Sequence, residues 1–188
     1  MSDTPLRPAN TFRPGLLIAS PQLRDPNFSG TVVLLWHHDQ QGAMGAIVNR
    51  ATDLDLSEIT EQLALPAPDA PTAVHFGGPV QPENGFLVYE GQVDERMGWN
   101  PRPDVAVTSS QEILEQVLKE KADFLLCLGY SGWGPGQLER EIEEGSWLYT
   151  ELDPRILFGM SADERYDEAM ASLGLDPRQI WMMQPISE

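Results

Sequence analysis

Short apolar segments separated by turn residues dominate the first half of the chain. Positions 31–36 hold β-branched residues, leucines and a tryptophan, a second apolar segment covers positions 43–48, and a loop containing Gly42 joins the two segments. Two such segments predict an antiparallel hairpin. Further strands are predicted from similar apolar runs at residues 15–20, 73–76, 85–89, 105–108, 124–128 and 147–152.

Apolar residues at spacings of three and four predict four helices. Leu56, Ile59 and Leu63 form such a stripe in residues 55–63, and a longer stripe runs through residues 109–119. A third helix follows the glycines after position 128. The last one opens at Ser161, whose spacing to Glu164 is that of a capping box. Since hairpins dominate the first half, the pattern predicts an α+β fold with a mixed sheet, not a doubly wound parallel one.

The chain reads as one domain over residues 15–188, preceded by a flexible arm over residues 1–14 that shows no periodicity. Its 188 residues are 41% hydrophobic, which is enough for one core. No apolar run approaches the length that crosses a bilayer, and the first residues lack the apolar segment of a signal peptide. We therefore expect a cytoplasmic protein without a membrane partner.

Acidic residues far outnumber basic ones. The 29 Asp and Glu residues against 12 Lys and Arg give a net charge of −17. Nucleic-acid binding needs a basic patch, whereas the basic residues here are scattered along the sequence. The charge thus disfavours direct nucleic-acid binding.

Glycines interrupt the chain where an apolar run meets a helix pattern. Residues 124–128 are apolar, glycines follow at 129, 132, 134 and 136, and Pro135 precedes the helix. This order predicts a strand, a tight loop and a helix. The loop can contact a small ligand through its N–H groups, or its glycines can serve close packing alone, with Trp133 in the core.

Two residues are candidates for nucleophilic chemistry. Ser131 follows Gly129 and Tyr130, but Trp133 stands where the G-x-S-x-G turn of hydrolases has its second glycine. Cys127, the single cysteine, lies within an apolar strand and is predicted to be a buried, inert thiol. The sequence therefore assigns no catalytic residue.

The adjacent residues His37, His38 and Asp39 resemble a metal-binding fragment only superficially. Neighbouring residues of a strand point to opposite faces and cannot easily hold one ion. We expect a solvated hairpin tip there, and neither a metal nor another cofactor is predicted.

Four segments together resemble the bacterial YqgE/AlgH family. They occur in the family's order and comprise residues 15–19 with 25–28, residues 41–50, residues 76–80 and residues 128–139. The resemblance implies a single α/β domain on a strongly bent, mostly antiparallel sheet flanked by helices. The resemblance implies no catalytic residue. The AlgH branch of the family carries the label of transcriptional regulator, and for a chain of this charge indirect regulation fits that label better than direct DNA contact.

The functional hypothesis is a non-enzymatic module that binds a small molecule or a protein partner and has an indirect regulatory role. Arg50 is its expected anchor for a ligand carboxylate. An unrecognised enzyme using Ser131 or Cys127 and a direct transcriptional regulator are the alternatives. The predicted groove comprises Asn49, Arg50, Gly77, Gly78, Pro79, Gly129, Ser131, Gly132, Trp133 and Gly134.

Overall fold

A computed structural model describes residues 12–176 of the chain. Residues 1–11 of the predicted flexible arm, which spans residues 1–14, lie outside this range, as do the final residues of the predicted domain, 177–188. The strands are β1 (Gly15–Ala19), β2 (Val32–Asp39), β3 (Gly42–Ile47), β4 (Ala51–Asp55), β5 (Ala73–Phe76), β6 (Val80–Glu90), β7 (Gly98–Arg102), β8 (Val105–Thr108), β9 (Phe124–Trp133) and β10 (Trp147–Thr150). The helices are α1 (Leu56–Gln62), α2 (Gln111–Glu120), α3 (Gln137–Glu143), α4 (Pro154–Phe158) and α5 (Ala162–Ser172).

The strands form one sheet in the order β10-β1-β2-β3-β9-β6-β8-β7, with β5 beside β9 and β4 beside β5. Strands β2 and β3 form the predicted antiparallel hairpin, with Val33 opposite Ile47. Among the described strands, only β5 and β9 pair in parallel. The predicted α+β class with a mostly antiparallel sheet is therefore confirmed.

The sheet is strongly bent. Trp36 of β2 and Trp99 of β7 belong to strands far apart in the sheet order, yet their ring centroids are 5.6 Å apart. The Trp36 ring also lies 5.5 Å from that of Phe86 on β6. These aromatic rings fill the concave side of the bend, as the resemblance implied.

Alternating residues of the strands enter separate parts of the core, because successive side chains of a strand point to opposite faces. In β1, Leu16 packs with α4 and α5, whereas Leu17 packs with α3 and Trp147. A third cluster joins α1 and α2 to the sheet through Leu56, Leu114 and Leu126. Helices thus cover both faces of the sheet.

The glycine segment does not form the predicted loop. Strand β9 continues through the first glycines to Trp133, because Gly45 and Ala43 of β3 pair with Ser131 and Trp133. The loop shrinks to residues 134–136, and Gly136 with φ of 72° precedes α3. The prediction that the strand ends at residue 128 is therefore wrong.

The sequence pattern missed three elements. Strand β4 is mostly exposed and has no apolar alternation, and β7 contains Pro101 and few apolar residues. Helix α4 is only five residues long, although Asp153 and Pro154 form a recognisable helix start. Elements of this kind carry little hydrophobic signal of their own.

Candidate functional site

The glycines of the predicted groove allow one segment of backbone to cross over another. Between β5 and β6 the chain passes over β9, where the N–H of Gly77 donates to the carbonyl of Leu128 at 2.7 Å. A Cβ atom on Gly78 would lie 2.2 Å from the carbonyl oxygen of Tyr130, and one on Gly129 would lie 2.3 Å from that of Gly78. Only glycine fits at this crossing.

Asn49 and Arg50 hold the loop between β1 and β2. The side chain of Asn49 accepts a hydrogen bond from the N–H of Val32 at 2.8 Å and donates to the carbonyl of Gly30 at 3.0 Å. The guanidinium of Arg50 donates to the carbonyls of Pro26, Asn27 and Ser29. The side chain that we expected to anchor a carboxylate is thus engaged within the protein.

The other predicted groove residues differ in exposure. Ser131 is fully buried, and its hydroxyl donates to the carbonyl of Gly77 at 3.1 Å. Trp133 is buried beside Trp147, with ring centroids 5.9 Å apart. The exposed residues are Pro79, Gly132 and Gly134. The structure therefore brings Gly77, Gly78, Gly129 and Ser131 together as packed backbone, and the assignment of the whole set to a ligand stays a prediction.

Cys127 is fully buried, as the sequence predicts. Burial raises the pKa of its thiol to about 12, since the thiolate cannot be solvated there, while the charge of Arg165 opposes the change. The thiol contacts the carbonyl of Ile47 at 3.7 Å. This thiol is unreactive as it stands, and the fully buried Ser131 has no access for a substrate either.

A cleft of about 700 Å³ opens beside β6, between α1 and the start of α2. Its apolar floor includes Leu54, Ile59, Trp99, Leu114, Leu126 and Leu128. Four side-chain amides stand around the floor, from Gln62, Gln81, Asn84 and Gln111. We call this feature the amide-rimmed cleft. Glu83 is the one charged side chain among its described lining residues.

A bulge in β6 forms one wall of the amide-rimmed cleft. Val80 pairs with Tyr130 and Gly85 with Leu128, so residues 81–84 stand opposite Gly129 alone. Gln81 has a φ of 47°, which is costly for a residue with a Cβ atom, and its side chain accepts from the amide of Asn84 at 2.8 Å. The bulge carries both amides out of the pairing and toward the cleft.

The glycine crossing and the amide-rimmed cleft are linked through this bulge. A Cβ atom on Gly129 would lie 3.2 Å from the Cα of Pro82, in the cleft wall. None of the ten predicted groove residues lines the cleft itself. Sequence reasoning missed the cleft because its residues come from eight separate elements and share no motif.

His38 is buried, which corrects the prediction of a solvated tip. Its Nδ1 accepts a hydrogen bond from the N–H of Phe12 at 2.8 Å, so its Nε2 carries the proton and donates to Oε1 of Glu139. The Glu139 side chain is partly buried. His37 points away and pairs with Asp39 at the exposed surface. Within residues 12–176, no three His, Cys, Asp or Glu side chains converge on a metal site.

Arg165 of α5 is buried, and no carboxylate of residues 12–176 pairs with it. Its guanidinium donates to the carbonyls of Val48, Ile156, Leu157 and Met160. Nη1 also donates to Nε2 of His75 at 3.0 Å. Burial and the Arg165 charge together lower the pKa of His75 to about 4, so this histidine is neutral at pH 7. The sequence pattern gave no sign of this cluster.

Comparisons with known proteins support one family. Residues 16–178 match the family model DUF179, described as AlgH-like. A UPF0301 protein of Ralstonia nicotianae is 38% identical over 183 residues, covering 95% of this chain and 94% of the relative. One from Paraburkholderia phymatum is 42% identical over 165 residues, covering 85% and 86%.

Solved structures agree with the sequence relatives. The solution structure of the AlgH protein from Pseudomonas aeruginosa covers 100% of both chains with a TM-score of 0.73 and 33% identity. A crystal structure of a Corynebacterium diphtheriae protein, at 20% identity, has a TM-score of 0.73 over 90% of this chain and 91% of its own, and shows the fold alone. Among the described residues, no helix is long and apolar enough to cross a bilayer.

Proposed function

From the premise that the chain belongs to the AlgH-like family, we propose that it is a non-enzymatic module that binds an uncharged ligand in the amide-rimmed cleft. The observation that carries the proposal is an apolar floor surrounded by four side-chain amides. Ligand sites in proteins are commonly clefts of about 300–1,000 Å³ with an apolar lining and a few convergent polar groups. The cleft fits this description in size and chemistry.

The lining defines the class of ligand. An anion is disfavoured, because none of the described residues that line the cleft is basic and the whole chain has a net charge of −17. Each amide offers both a donor and an acceptor, which suits ligands that carry amide or heteroaromatic groups. Trp99 and the leucines of the floor suit an aromatic or apolar body. The proposed ligand is therefore an uncharged molecule with both features.

The crossing glycines take part in this proposal as supports of the cleft. Gly78 and Gly129 set the path of residues 80–84, and the bulge there carries Gln81 and Asn84. Arg50 fastens the loop before β2 through its bonds to three carbonyls of that loop. The sequence favours another version of the proposal, in which the glycine segment itself contacts a ligand or a protein partner. Any regulatory role then follows indirectly, from whether the site is occupied.

A thermal-unfolding screen tests the proposal. The panel contains uncharged aromatic amides, nucleosides and blocked dipeptides, together with carboxylate and phosphate analogues of the same rings. A ligand at one hundred times its dissociation constant adds about 2.7 kcal/mol, which raises the midpoint by roughly 5–10 °C at this chain length. We expect such a shift from an uncharged member and none from its anionic analogue.

Matched variants locate the site. Gln111→Ala and Asn84→Ala remove exposed cleft amides, and we expect each to weaken binding by about tenfold, the worth of roughly one good hydrogen bond. Gln116→Ala removes an amide that lies on α2, as Gln111 does, but outside the cleft. This variant should bind the ligand normally. Loss of binding in Trp133→Ala, with full binding in Gln111→Ala and Asn84→Ala, would move the site to the glycine segment.

A further inference from the structure

A second groove, of about 630 Å³, lies on the other side of α2 and differs sharply in charge from the amide-rimmed cleft. One wall is α2, and the other is the loop that leaves β6. Its carboxylates are those of Glu90, Asp94, Glu112 and Glu120. We call it the acidic groove. No basic side chain lines it among the described residues.

The carboxylates of the acidic groove are mostly free of internal cations. Asp94 pairs with Arg96 at 3.0 Å, but Arg96 is itself largely exposed. Within residues 12–176, Glu90, Glu112 and Glu120 form no ion pair, although lysines are close by in sequence. Lys119 pairs instead with Glu115, and Lys121 with Asp69. The negative charge of the groove is therefore open to a partner.

An apolar strip lies between the carboxylates. Ile113 of α2 lines the groove and is partly exposed, whereas two other aliphatic lining residues, Val93 and Val117, are buried in the core. Met97 borders it and, at 44% exposure, is the one exposed large hydrophobic side chain among the described residues. One occupant of the groove would therefore contact both carboxylates and apolar side chains.

The spacing of these groups favours a chain segment over a small cation. Glu112, Gln116 and Glu120 succeed one another at intervals of four residues, so the two glutamates stand about 12 Å apart along α2. Ile113 lies beside them and is partly exposed, whereas Val117 is only 3% exposed. An occupant that pairs with the glutamates and covers Met97 and Ile113 needs both cationic and apolar groups.

We propose that the acidic groove is a docking surface for a basic amphipathic segment of a partner protein. Lys or Arg side chains of the segment pair with Glu90, Glu112 and Glu120, while its apolar side chains cover Met97 and Ile113. The surface is separate from the amide-rimmed cleft, although α2 contributes to both. Occupation of one can therefore bias the other through the same helix.

Fluorescence anisotropy with labelled synthetic peptides tests this surface. The probes are twelve-residue peptides in which Lys or Arg flanks Leu at helical spacing, and peptides with Glu in place of the basic residues are the controls. We expect the basic peptides to bind and the acidic ones to fail. Failure of every basic peptide would overturn the proposal.

Charge variants separate a specific surface from general attraction to an acidic protein. Glu112→Gln with Glu120→Gln should weaken binding by about tenfold or more, since two opposing charges are lost. Glu143→Gln with Glu144→Gln removes the same charge from α3 and should change binding less than about twofold. Equal losses in the two double variants would contradict a defined groove.

Two further measurements test the occupant. Met97→Gln should weaken the peptide that contains Leu and leave a peptide with Ser in place of Leu unaffected, because only the former covers the apolar strip. Spermine should compete poorly, since it has no apolar groups to cover Met97. Binding of spermine as tight as that of the peptides would overturn a protein segment in favour of a small cation.

Discussion

Single residues at the crossing of β9 carry much of the fold's specificity. Gly77, Gly78 and Gly129 allow two backbone segments to touch with no side chain between them. The glycines can be recognised in the sequence as a motif. Their structural role cannot be read from the sequence, because the contact joins positions about fifty residues apart. A glycine pair with a packing role and one with a binding role look alike in sequence.

Replacement of Gly78 by Ala should destabilise the protein by about 2–4 kcal/mol, because the added Cβ meets the Tyr130 backbone at a φ of 153°. Gly132→Ala is the matched control. Gly132 lies on β9, the strand that the Gly78 segment crosses, and its added Cβ makes only an ordinary contact at 3.5 Å. The stability of this variant should be close to that of the native protein. Urea unfolding measures both, and an equal loss in the two variants would contradict the crossing.

His75 should make stability depend on pH between its two pKa values. The folded state lowers its pKa to about 4 from an ordinary value of 6.5, so the unfolded chain takes up the proton first. The free energy of unfolding is unaffected above pH 6.5 and falls by about 3 kcal/mol as the pH drops to about 4.

Urea unfolding at a series of pH values checks this dependence. His75→Gln cannot take up the proton, so its loss of stability between pH 6.5 and pH 4 should be smaller than that of the native protein. His37→Gln serves as the exposed control and should retain the native slope. An unchanged slope in His75→Gln would show that other groups cause the acid sensitivity.

At the scale of elements, Arg165 fastens two helices to the sheet. Its hydrogen bonds join α5 to the carbonyls of α4 and to Val48 at the end of β3. A buried guanidinium of this kind replaces part of the apolar packing that short helices cannot supply. Helix α4, with five residues, depends most on this contact.

Arg165→Met should cost about 3 kcal/mol or more, because it leaves several buried carbonyls without a donor. Arg155→Met removes an exposed arginine that pairs with Asp153, and should change stability far less, because exposed ion pairs are screened by solvent. Thermal unfolding of the two variants gives the comparison. Similar midpoints for both would contradict the fastening role of Arg165.

Elements with a strong hydrophobic period were predictable, and those stabilised by pairing or by caps were not. Residues 73–76 and 105–108 match β5 and β8, because their apolar side chains are buried by the sheet. Strand β4 has an exposed face, and only its pairing with β5 keeps it extended. The predicted end of β9 was wrong because pairing with β3 keeps the glycines extended, although glycines favour loops.

The candidate site was less predictable than the fold. Gln62, Gln81, Asn84 and Gln111 are ordinary surface residues in sequence, and only the bend of the sheet and the bulge in β6 bring them together. The glycines indicated a segment that contacts the wall of the cleft and does not line the cleft itself. Gln81 gave no signal either, because its positive φ follows from the bulge and not from its residue type.

At the scale of the whole molecule, α2 separates two surfaces that differ in charge. In the part of the chain that the structure describes, one charged residue lines the amide-rimmed cleft, whereas four line the acidic groove. A chain with a net charge of −17 therefore keeps an almost uncharged cleft beside a strongly negative groove. This arrangement suits a module that holds a neutral ligand on one side of α2 and a basic partner on the other.

Fluorine NMR of the protein labelled with 5-fluorotryptophan tests the central claim most directly. Among the described tryptophans, Trp99 lines the amide-rimmed cleft and Trp133 lies in the glycine segment, so each reports one site. Trp99→Phe and Trp133→Phe assign the two resonances. On titration with the uncharged amides and nucleosides of the panel, we predict that the Trp99 resonance moves and the Trp133 resonance stays in place. Movement of Trp133 with a stationary Trp99, or no movement of Trp99 with any member, would contradict the account.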